Sequence, residues 1–207
     1  MTLKHQTSSV FVFRRLPGGW RIGLIRHPRF HRMMIPGGHV EQEESCAEAA
    51  LREVAEETGL TVSLVGPPAA PVPRGYRARR VALPWWIAEY QVPPDNHLGV
   101  RHVHIDHLYV ALADGTLPPP GADQAADGAA SMTQGGADQP GMDQPGGEHP
   151  FGWYAAGELA SLDMFDDARV MAQSMLAGLA AEADGAGRAS GTAGAAAAAL
   201  LAGLGRA

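Results

Sequence analysis

Three glutamates, Glu53, Glu56 and Glu57, have a spacing that could hold a divalent cation. They stand at positions i, i+3 and i+4, and at about 100° per residue they lie within one narrow sector of a helix. Like charges at this spacing repel each other, and the C-terminal end of a helix disfavours anions further. Because Mg²⁺ and Mn²⁺ take oxygen ligands and relieve such repulsion, the spacing favours a metal site. A solvated acidic surface is the alternative that these three residues alone leave open.

The segment that carries the glutamates has a clear helical start and end. Ser45 and Glu48 form the Ser-x-x-Glu capping box, and Gly59 is a natural stop. Between them, apolar residues recur at helical spacing and predict a buried stripe. The stripe consists of Ala47, Ala50, Leu51 and Val54.

The helix belongs to a longer pattern. From Gly38 the chain reads GHVEQEESCAEAALREVAEETGL, which fits Gly-x5-Glu-x7-Arg-Glu-U-x-Glu-Glu-x-Gly-U, where U is a bulky aliphatic residue. Every specified position is filled, namely by Gly38, Glu44, Arg52, Glu53, Val54, Glu56, Glu57, Gly59 and Leu60. The chain therefore resembles the Nudix hydrolase superfamily over residues 38–60, and the preceding Pro36-Gly37 extends the likeness.

The resemblance implies a fold, a reaction and a metal site. The implied reaction is metal-dependent hydrolysis of a diphosphate linkage between a nucleoside diphosphate and another group. Mg²⁺ or Mn²⁺ is the implied cofactor. Its implied ligands are Glu53, Glu56, Glu57 and a backbone carbonyl at Gly37 or Gly38, while Glu44 either caps this network or touches the metal.

The chemistry of the reaction assigns further roles. A diphosphate repels a nucleophile through its negative charges, which bound metal neutralises while lowering the pKa of a bound water. A carboxylate can then accept the proton of that water, and Glu53 is our first choice for this base. The resemblance implies that Arg52 pairs with a carboxylate and orients it. We therefore predict Glu53, Arg52 and Glu57 as the catalytic residues.

Substrate contacts are predicted outside the helix. His39 directly follows the glycines, and His104 and Asp106 share one face of a strand with His102 by alternation. Arginine suits phosphate because its planar fork matches the oxygens, which favours a role for the basic cluster at 74–80. The predicted set is His39, Arg77, Arg79, Trp86, His104 and Asp106. For each of them a purely structural role is the alternative. For Trp86 we favour that alternative, with the side chain packed in the core.

The surrounding segments predict an α/β class with a mixed β-sheet in an α/β/α sandwich, the Nudix fold. Strands are expected at 8–15 and 20–25, which form a hairpin, and at 81–91, 102–113 and from Phe151. A second helix is expected over 166–178. The predicted domain comprises 1–114 and 148–181, whereas the Gly/Pro/Asp/Gln-rich segment 115–147 is expected to be a disordered insert and 182–207 a flexible tail.

Composition restricts the partners. The 207 residues carry a formal net charge of −6, which disfavours binding to nucleic acid. The single cysteine excludes an intramolecular disulfide, and no segment resembles a signal peptide or a membrane span. We expect a cytoplasmic protein with a small phosphorylated substrate, in first place a nucleotide, and without nucleic acid or membrane partners. The sequence does not decide whether the protein forms a homodimer.

Two other functions compete with hydrolysis. A Nudix domain can act as a sensor that binds a nucleotide or nucleotide sugar without cutting it, but such proteins usually have degraded carboxylates. The insert and tail could form an interaction module, although they lack aromatic anchors. The sequence does not distinguish nucleoside triphosphates, nucleotide sugars and dinucleotide polyphosphates as substrates.

Overall fold

The computed structural model describes residues 2–95, 98–113, 147–185 and 193–204. Within these residues the chain forms eight strands, three α-helices and one short 3₁₀ helix. The strands are β1 (Lys4–Leu16), β2 (Gly19–Arg26), β3 (Met33–Met34), β4 (Gly37–His39), β5 (Val62–Leu64), β6 (Trp86–Val92), β7 (His102–Ala113) and β8 (Phe151–Tyr154). The α-helices are α1 (Cys46–Thr58), α2 (Asp166–Gly185) and α3 (Ala193–Leu204), and the 3₁₀ helix covers Leu159–Ser161.

All eight strands belong to one mixed sheet built around β1. The strand order is β3-β2-β1-β7-β5, with β4 added to β1, β6 to β7 and β8 to β2. β1 and β7 run parallel, whereas their other pairings are antiparallel. The predicted hairpin of the first two strands is confirmed, as is the long strand at 102–113.

The sheet is covered on both faces, as the predicted α/β/α sandwich requires. Alternate residues of β1 point to opposite sides: Val10 and Val12 pack with α1, while Phe11 and Phe13 pack with α2 and α3. All four side chains are almost fully buried. Residues 10–13 in the middle of β1 therefore form a continuous apolar run, which is typical of a strand segment covered on both faces. The fold class is confirmed.

Helix α1 begins and ends where its capping residues predict. Ser45 and Glu48 form the reciprocal capping box, and Gly59 ends the helix with a φ of 71°. The buried stripe differs from the prediction at one position, because Leu51 is 40% exposed whereas Ala49 is fully buried. The helix is rotated so that Glu53 and Glu57 also lie toward the sheet, and this rotation moves Leu51 out to solvent.

The strand expected at 81–91 starts later than predicted. β6 begins at Trp86, and residues 81–85 form no strand. Pro84 has no N–H group to donate to a neighbouring strand, so the pairing with β7 begins beyond it. Trp85 instead donates its indole N–H to the carbonyl of Val65 at 2.5 Å.

The C-terminal region contains more helix than was expected for a flexible tail from residue 182, in which a short helix around 195–201 was the open alternative. α2 continues to Gly185, and 193–204 forms α3, whose Ala199 and Leu200 are buried in the core beside α2. The prediction relied on the absence of a charged face. Alanine is nevertheless the strongest helix former, and the small side chains allow close packing on α2. Most of the predicted insert at 115–147 lies outside the described residues.

A pair of neighbouring leucines tests whether α3 stabilises the domain. Leu200 is fully buried and Leu201 is 43% exposed. Leu200→Ala should lower the free energy of unfolding by about 2–5 kcal/mol, because it opens a cavity in the core. Leu201→Ala should change it by less than about 0.5 kcal/mol. Urea unfolding of both variants measures the difference; equal effects would mean that α3 is not docked in solution.

Candidate active site

The carboxylate of Glu57 is buried between α1 and β4. Its side chain is 9% exposed, and its Oε2 accepts a hydrogen bond from the Gly37 N–H at 2.9 Å. Its Oε1 lies 3.4 Å from Nε2 of His149, which enters from the segment before β8. The backbone N–H groups of Glu148 and His149 donate to the last carbonyls of α1, at Glu56 and Glu57. This segment therefore closes the C-terminal end of the helix over the carboxylate.

Glu53 occupies space that only a glycine at position 38 leaves free. A Cβ at Gly38 would lie 2.3 to 2.8 Å from the carboxylate atoms of Glu53, so any other residue there would displace this carboxylate. The Glu53 side chain is 13% exposed. Gly37 is constrained too, since a Cβ there would lie 2.5 Å from the backbone oxygen of Ser8. The two glycines thus let β4 approach both α1 and β1.

Arg52 connects the carboxylates of the pattern. Its guanidinium donates to both oxygens of Glu44 at 2.7 and 3.1 Å, and to Glu53 and Glu56 at 2.9 Å each. A further N–H bonds to the carbonyl of His39 at 3.0 Å. These contacts raise the pKa of Arg52 above its ordinary value, and the hydrogen bonds to Glu44 are the largest cause. One cation therefore fixes three carboxylates relative to β4.

The site carries more negative charge than Arg52 compensates. Burial raises the pKa of Glu57 to about 8, and the charges of Glu53, Glu148 and Glu56 act in the same direction, against the lowering effect of the Gly37 N–H. Burial also raises the pKa of Glu53. The pKa of Glu44 is lowered instead, chiefly by its hydrogen bonds from Arg52. A second positive charge beside Glu53 and Glu57 would favour their ionised forms.

The raised pKa of Glu57 predicts a pH-dependent stability of the metal-free protein. A folded-state pKa near 8, against 4.5 as the ordinary value, means that the folded protein holds this proton more tightly than the unfolded chain. The stability from the protonated group is present at pH 4.5 and is lost as the pH rises through 8. Metal-free Glu57→Gln should therefore melt at the same temperature as the parent near pH 4.5. At pH 9 it should melt higher by at least about 3 °C, the equivalent of roughly 1 kcal/mol.

Melting curves in the presence of a chelator measure this difference. Glu43→Gln, which removes an exposed carboxylate from the same region, should show no such pH-dependent gain. A constant difference between Glu57→Gln and the parent at all pH values would contradict the assigned burial.

A cavity of about 580 Å³ lies beside the glycine strand β4. Gly37 and Gly38 form part of its wall, and the same two residues contact Glu57 and Glu53. Two aromatic rings, Phe30 and Phe165, stand edge to face at 6.1 Å in another part of the lining. Each of them is 38% exposed. The cavity thus joins a polar wall to an apolar one.

Three of the predicted substrate residues line this cavity: His39, His104 and Asp106. They meet because β4 and β7 both pair with β1, where Thr7 lies between His39 and Asp106. Asp106 is 6% exposed and its Oδ1 accepts hydrogen bonds from Thr7 and Ser9 at 2.9 and 3.1 Å. Burial raises the pKa of Asp106, and these two hydroxyls oppose the rise.

The structure does not bring the other three predicted substrate residues to the cavity. Arg77 and Arg79 are exposed in the loop between β5 and β6, and Arg79 pairs with Glu48 at the start of α1 at 2.9 Å. Trp86 packs partly buried against the core, with its ring 5.7 Å from that of Trp85. Residues 81–85 form no strand, and the two arginines precede them in an exposed loop.

Several residues at the site lie outside any motif that the sequence analysis identified. His149 follows the low-complexity segment, and Asp95 lies in the loop between β6 and β7. Phe30 and Phe165 are 135 positions apart and flank the cavity from the loop before β3 and from the start of α2. Only the tertiary structure places these residues together. An aromatic residue in a polar loop, as at Phe30, is the one signal that could have indicated a binding role.

Comparison with known proteins agrees with the fold and with the family resemblance. The profile of the NUDIX domain matches residues 4–153, which is more than half of the chain. The chain belongs to the Nudix family. A search of curated proteins gives no match.

Solved structures with the same fold include a NUDIX-family hydrolase from Clostridium perfringens. It shares 22% identity, with 82% of this chain and 93% of that chain covered and a TM-score of 0.53. A C. elegans Ap4A hydrolase has 14% identity, coverage of 81% and 92% and a TM-score of 0.44. The E. coli dihydroneopterin triphosphate pyrophosphohydrolase has 14% identity, coverage of 84% and 97% and a TM-score of 0.45. In the described part of the chain, no helix is long and apolar enough to cross a membrane.

Proposed function

We propose that this Nudix protein is a metal-dependent pyrophosphohydrolase that cuts the diphosphate linkage of a nucleoside diphosphate joined to another group. The observation that carries the proposal is the packing of Glu53 and Glu57 against Gly38 and Gly37, the two residues that also form the wall of the cavity. A diphosphate lying along this glycine strand would be within reach of the carboxylates. A sensor would have no need of several carboxylates held at this position.

The residues at the site fit Mg²⁺ or Mn²⁺. Glu53, Glu56 and Glu57 provide carboxylate oxygens, the donors that these hard cations prefer. Burial, together with the charges of neighbouring carboxylates, raises the pKa of Glu57, and a cation beside it would favour the ionised form. We propose Glu53, Glu56, Glu57 and the Gly38 carbonyl as the ligands, with Glu44 acting through Arg52. When bound, the metal supplies positive charge that neutralises the diphosphate and favours ionisation of the attacking water.

The protein's own groups prepare the attack of water on phosphorus. The oxygen of the water bonds to phosphorus, and the bond between phosphorus and the bridging oxygen breaks. Glu53 is proposed to accept the proton that the attacking water loses. Arg52 holds Glu53 through a hydrogen bond of 2.9 Å, so the base is positioned before substrate binds. The leaving phosphate carries away the electron pair of the broken bond. Positioning of this kind lowers the barrier without a covalent intermediate.

The cavity favours a substrate with a flat apolar group at one end and phosphates at the other. Phe30 and Phe165 offer ring surfaces to a nucleobase, while Gly37 and Gly38 offer a backbone edge to the diphosphate. His39 and His104 also line the cavity. The proposed substrate class is therefore a nucleotide.

A substrate screen tests the proposed function. The full-length protein is incubated with Mg²⁺ or Mn²⁺ and a panel of nucleoside triphosphates, nucleotide sugars, dinucleotide polyphosphates and a pterin triphosphate. The products are separated by chromatography, so that nucleoside monophosphate, phosphate and pyrophosphate are each quantified, and a chelator serves as the control. We expect metal-dependent turnover of at least one nucleotide. Saturable binding of one compound with no turnover of any would instead establish a sensor.

A further inference from the structure

A second group of potential metal ligands lies on the cavity wall, apart from the glutamates of α1. It consists of His39, Asp95, His102 and His104, and we call it the histidine cluster. Each residue offers one ligand atom, and the four atoms lie within 4.8 Å of one another. The residues come from three separate parts of the chain, namely β4, the loop before β7, and β7 itself. We infer that the histidine cluster is a site for Zn²⁺ or a transition-metal ion of the same ligand preference.

The distances in the cluster approach those around a tetrahedral zinc ion. Ligand atoms about 2.1 Å from zinc stand roughly 3.4 Å from each other. Nε2 of His102 lies 3.1 Å from Nε2 of His104 and 3.2 Å from Oδ2 of Asp95, and His104 lies 3.8 Å from the same oxygen. Three of the four ligands are thus nearly in place, and because the four atoms lie within 4.8 Å of one another, a shift of at most about 1.4 Å brings in the fourth.

The hydrogen bonds of His102 orient it for a metal. Its Nδ1 lies 2.9 Å from the carbonyl of Val100, and because a carbonyl can only accept, Nδ1 carries the hydrogen. In the neutral ring the lone pair is then on Nε2, which faces Asp95 and His104. A carbonyl on the far nitrogen is the partner that metal-binding histidines usually have. The imidazole is fully buried, so its orientation is fixed by the fold.

Asp95 is held in a similar way. Its Oδ1 accepts the backbone N–H of Leu98 at 2.8 Å, and its own N–H donates to the carbonyl of Leu98 at 2.8 Å. Oδ2 lies within 3.8 Å of Nε2 of both His102 and His104, and the side chain is 8% exposed. A carboxylate here disfavours an anionic ligand such as phosphate. The charge of the cluster therefore selects a cation, and three nitrogen donors select zinc over Mg²⁺.

The proposed ion would stabilise the wall of the cavity. Four protein ligands leave no open position, which is the arrangement of a structural zinc site rather than a catalytic one. The ion would join β4, β7 and the loop that carries Asp95, and His39, Asp95 and His104 all line the cavity. His5 packs its ring 5.3 Å from that of His102 and helps to cover the cluster. Binding of zinc is thus expected to stabilise the fold.

Zinc binding can be measured separately from the carboxylates of α1. The full-length Glu53→Gln/Glu57→Gln protein is stripped of metal with a chelator and titrated with Zn²⁺ by calorimetry. Co²⁺ then serves as a coloured probe of tetrahedral coordination. We expect one Zn²⁺ per chain, an intense visible absorption with Co²⁺ and a higher melting temperature with zinc. Mg²⁺ should give none of these effects.

Substitutions inside and outside the histidine cluster provide the matched comparison. His104→Gln and Asp95→Asn, each added to the same background, should weaken zinc binding by more than about tenfold and remove the Co²⁺ absorption. His107→Gln alters a histidine of the same strand that faces away from the cluster, and it should bind zinc as the background does. Circular dichroism verifies that each variant is folded. Absence of zinc binding by the folded background, or equal binding by His104→Gln and His107→Gln, would overturn the proposal.

Discussion

Glu53→Gln and Glu57→Gln should each remain folded and lose at least about a thousandfold in turnover, equivalent to roughly 4 kcal/mol of barrier. Each substitution keeps the shape of the side chain and removes its charge. Glu53 would lose both its capacity to accept a proton and its role toward the metal. Glu57 would lose the anionic oxygen that is buried beside Gly37.

The measurement is steady-state turnover of the best substrate from the screen, at saturating Mg²⁺ and with active protein quantified by its melting curve. Glu43→Gln serves as the control, because its carboxylate is exposed in the same loop–helix region, and it should retain normal turnover. The higher stability expected for metal-free Glu57→Gln at alkaline pH separates loss of chemistry from loss of fold. Turnover within tenfold of the parent in both glutamine variants would show that the site assignment is wrong.

Gly38→Ala is expected to have the second largest effect on turnover, although it adds a single methyl group. The new Cβ would lie 2.3 to 2.8 Å from the carboxylate of Glu53, so the carboxylate must move. Because that carboxylate ends a flexible side chain, the fold should survive the substitution. Displacement of a catalytic group by about 1 Å can cost on the order of a hundredfold in rate, and we expect a loss of this size.

Two other glycines give the comparison for Gly38→Ala. Gly66→Ala adds a methyl group where no atom lies within 4 Å, and it should leave both turnover and melting temperature unchanged. Gly37→Ala places its Cβ 2.5 Å from a backbone oxygen of β1, which cannot move freely, so this variant should lose stability as well as turnover. If Gly38→Ala keeps turnover within threefold of the parent, the position of Glu53 is not coupled to the reaction.

Much of the site could be predicted because its chemistry is local. Glu53, Glu56 and Glu57 share one helix, and their separation along the chain fixes their separation in space. Ser45 and Gly59 bound that helix through hydrogen bonds within a few residues, and both act as the sequence indicates. The fold class followed from the alternation of strand and helix patterns. The family resemblance, based on residues 38–60, is confirmed by the match over 4–153.

The structure differs from the sequence-based expectations where packing between distant segments overrides local preference. α3 lacks a charged face, yet its Ala199 and Leu200 are buried against a surface that α2 provides. Leu51 fits the periodicity of α1 but lies at the edge of the contact, because the helix turns its glutamates toward β4. In both cases the partner surface comes from a distant part of the chain, and no window of sequence contains it.

The sequence by itself determined the carboxylates, the helix that presents them and the glycines that precede them, since each depends on neighbours within about twenty positions. Only the tertiary structure decided what surrounds them. The pairing of β4 and β7 with β1 brings His39 to His104 and Asp106. The loops place Asp95 beside the three histidines of the cluster and Phe30 beside Phe165. These contacts join residues tens of positions apart, and they depend on the burial of the whole sheet rather than on any local preference.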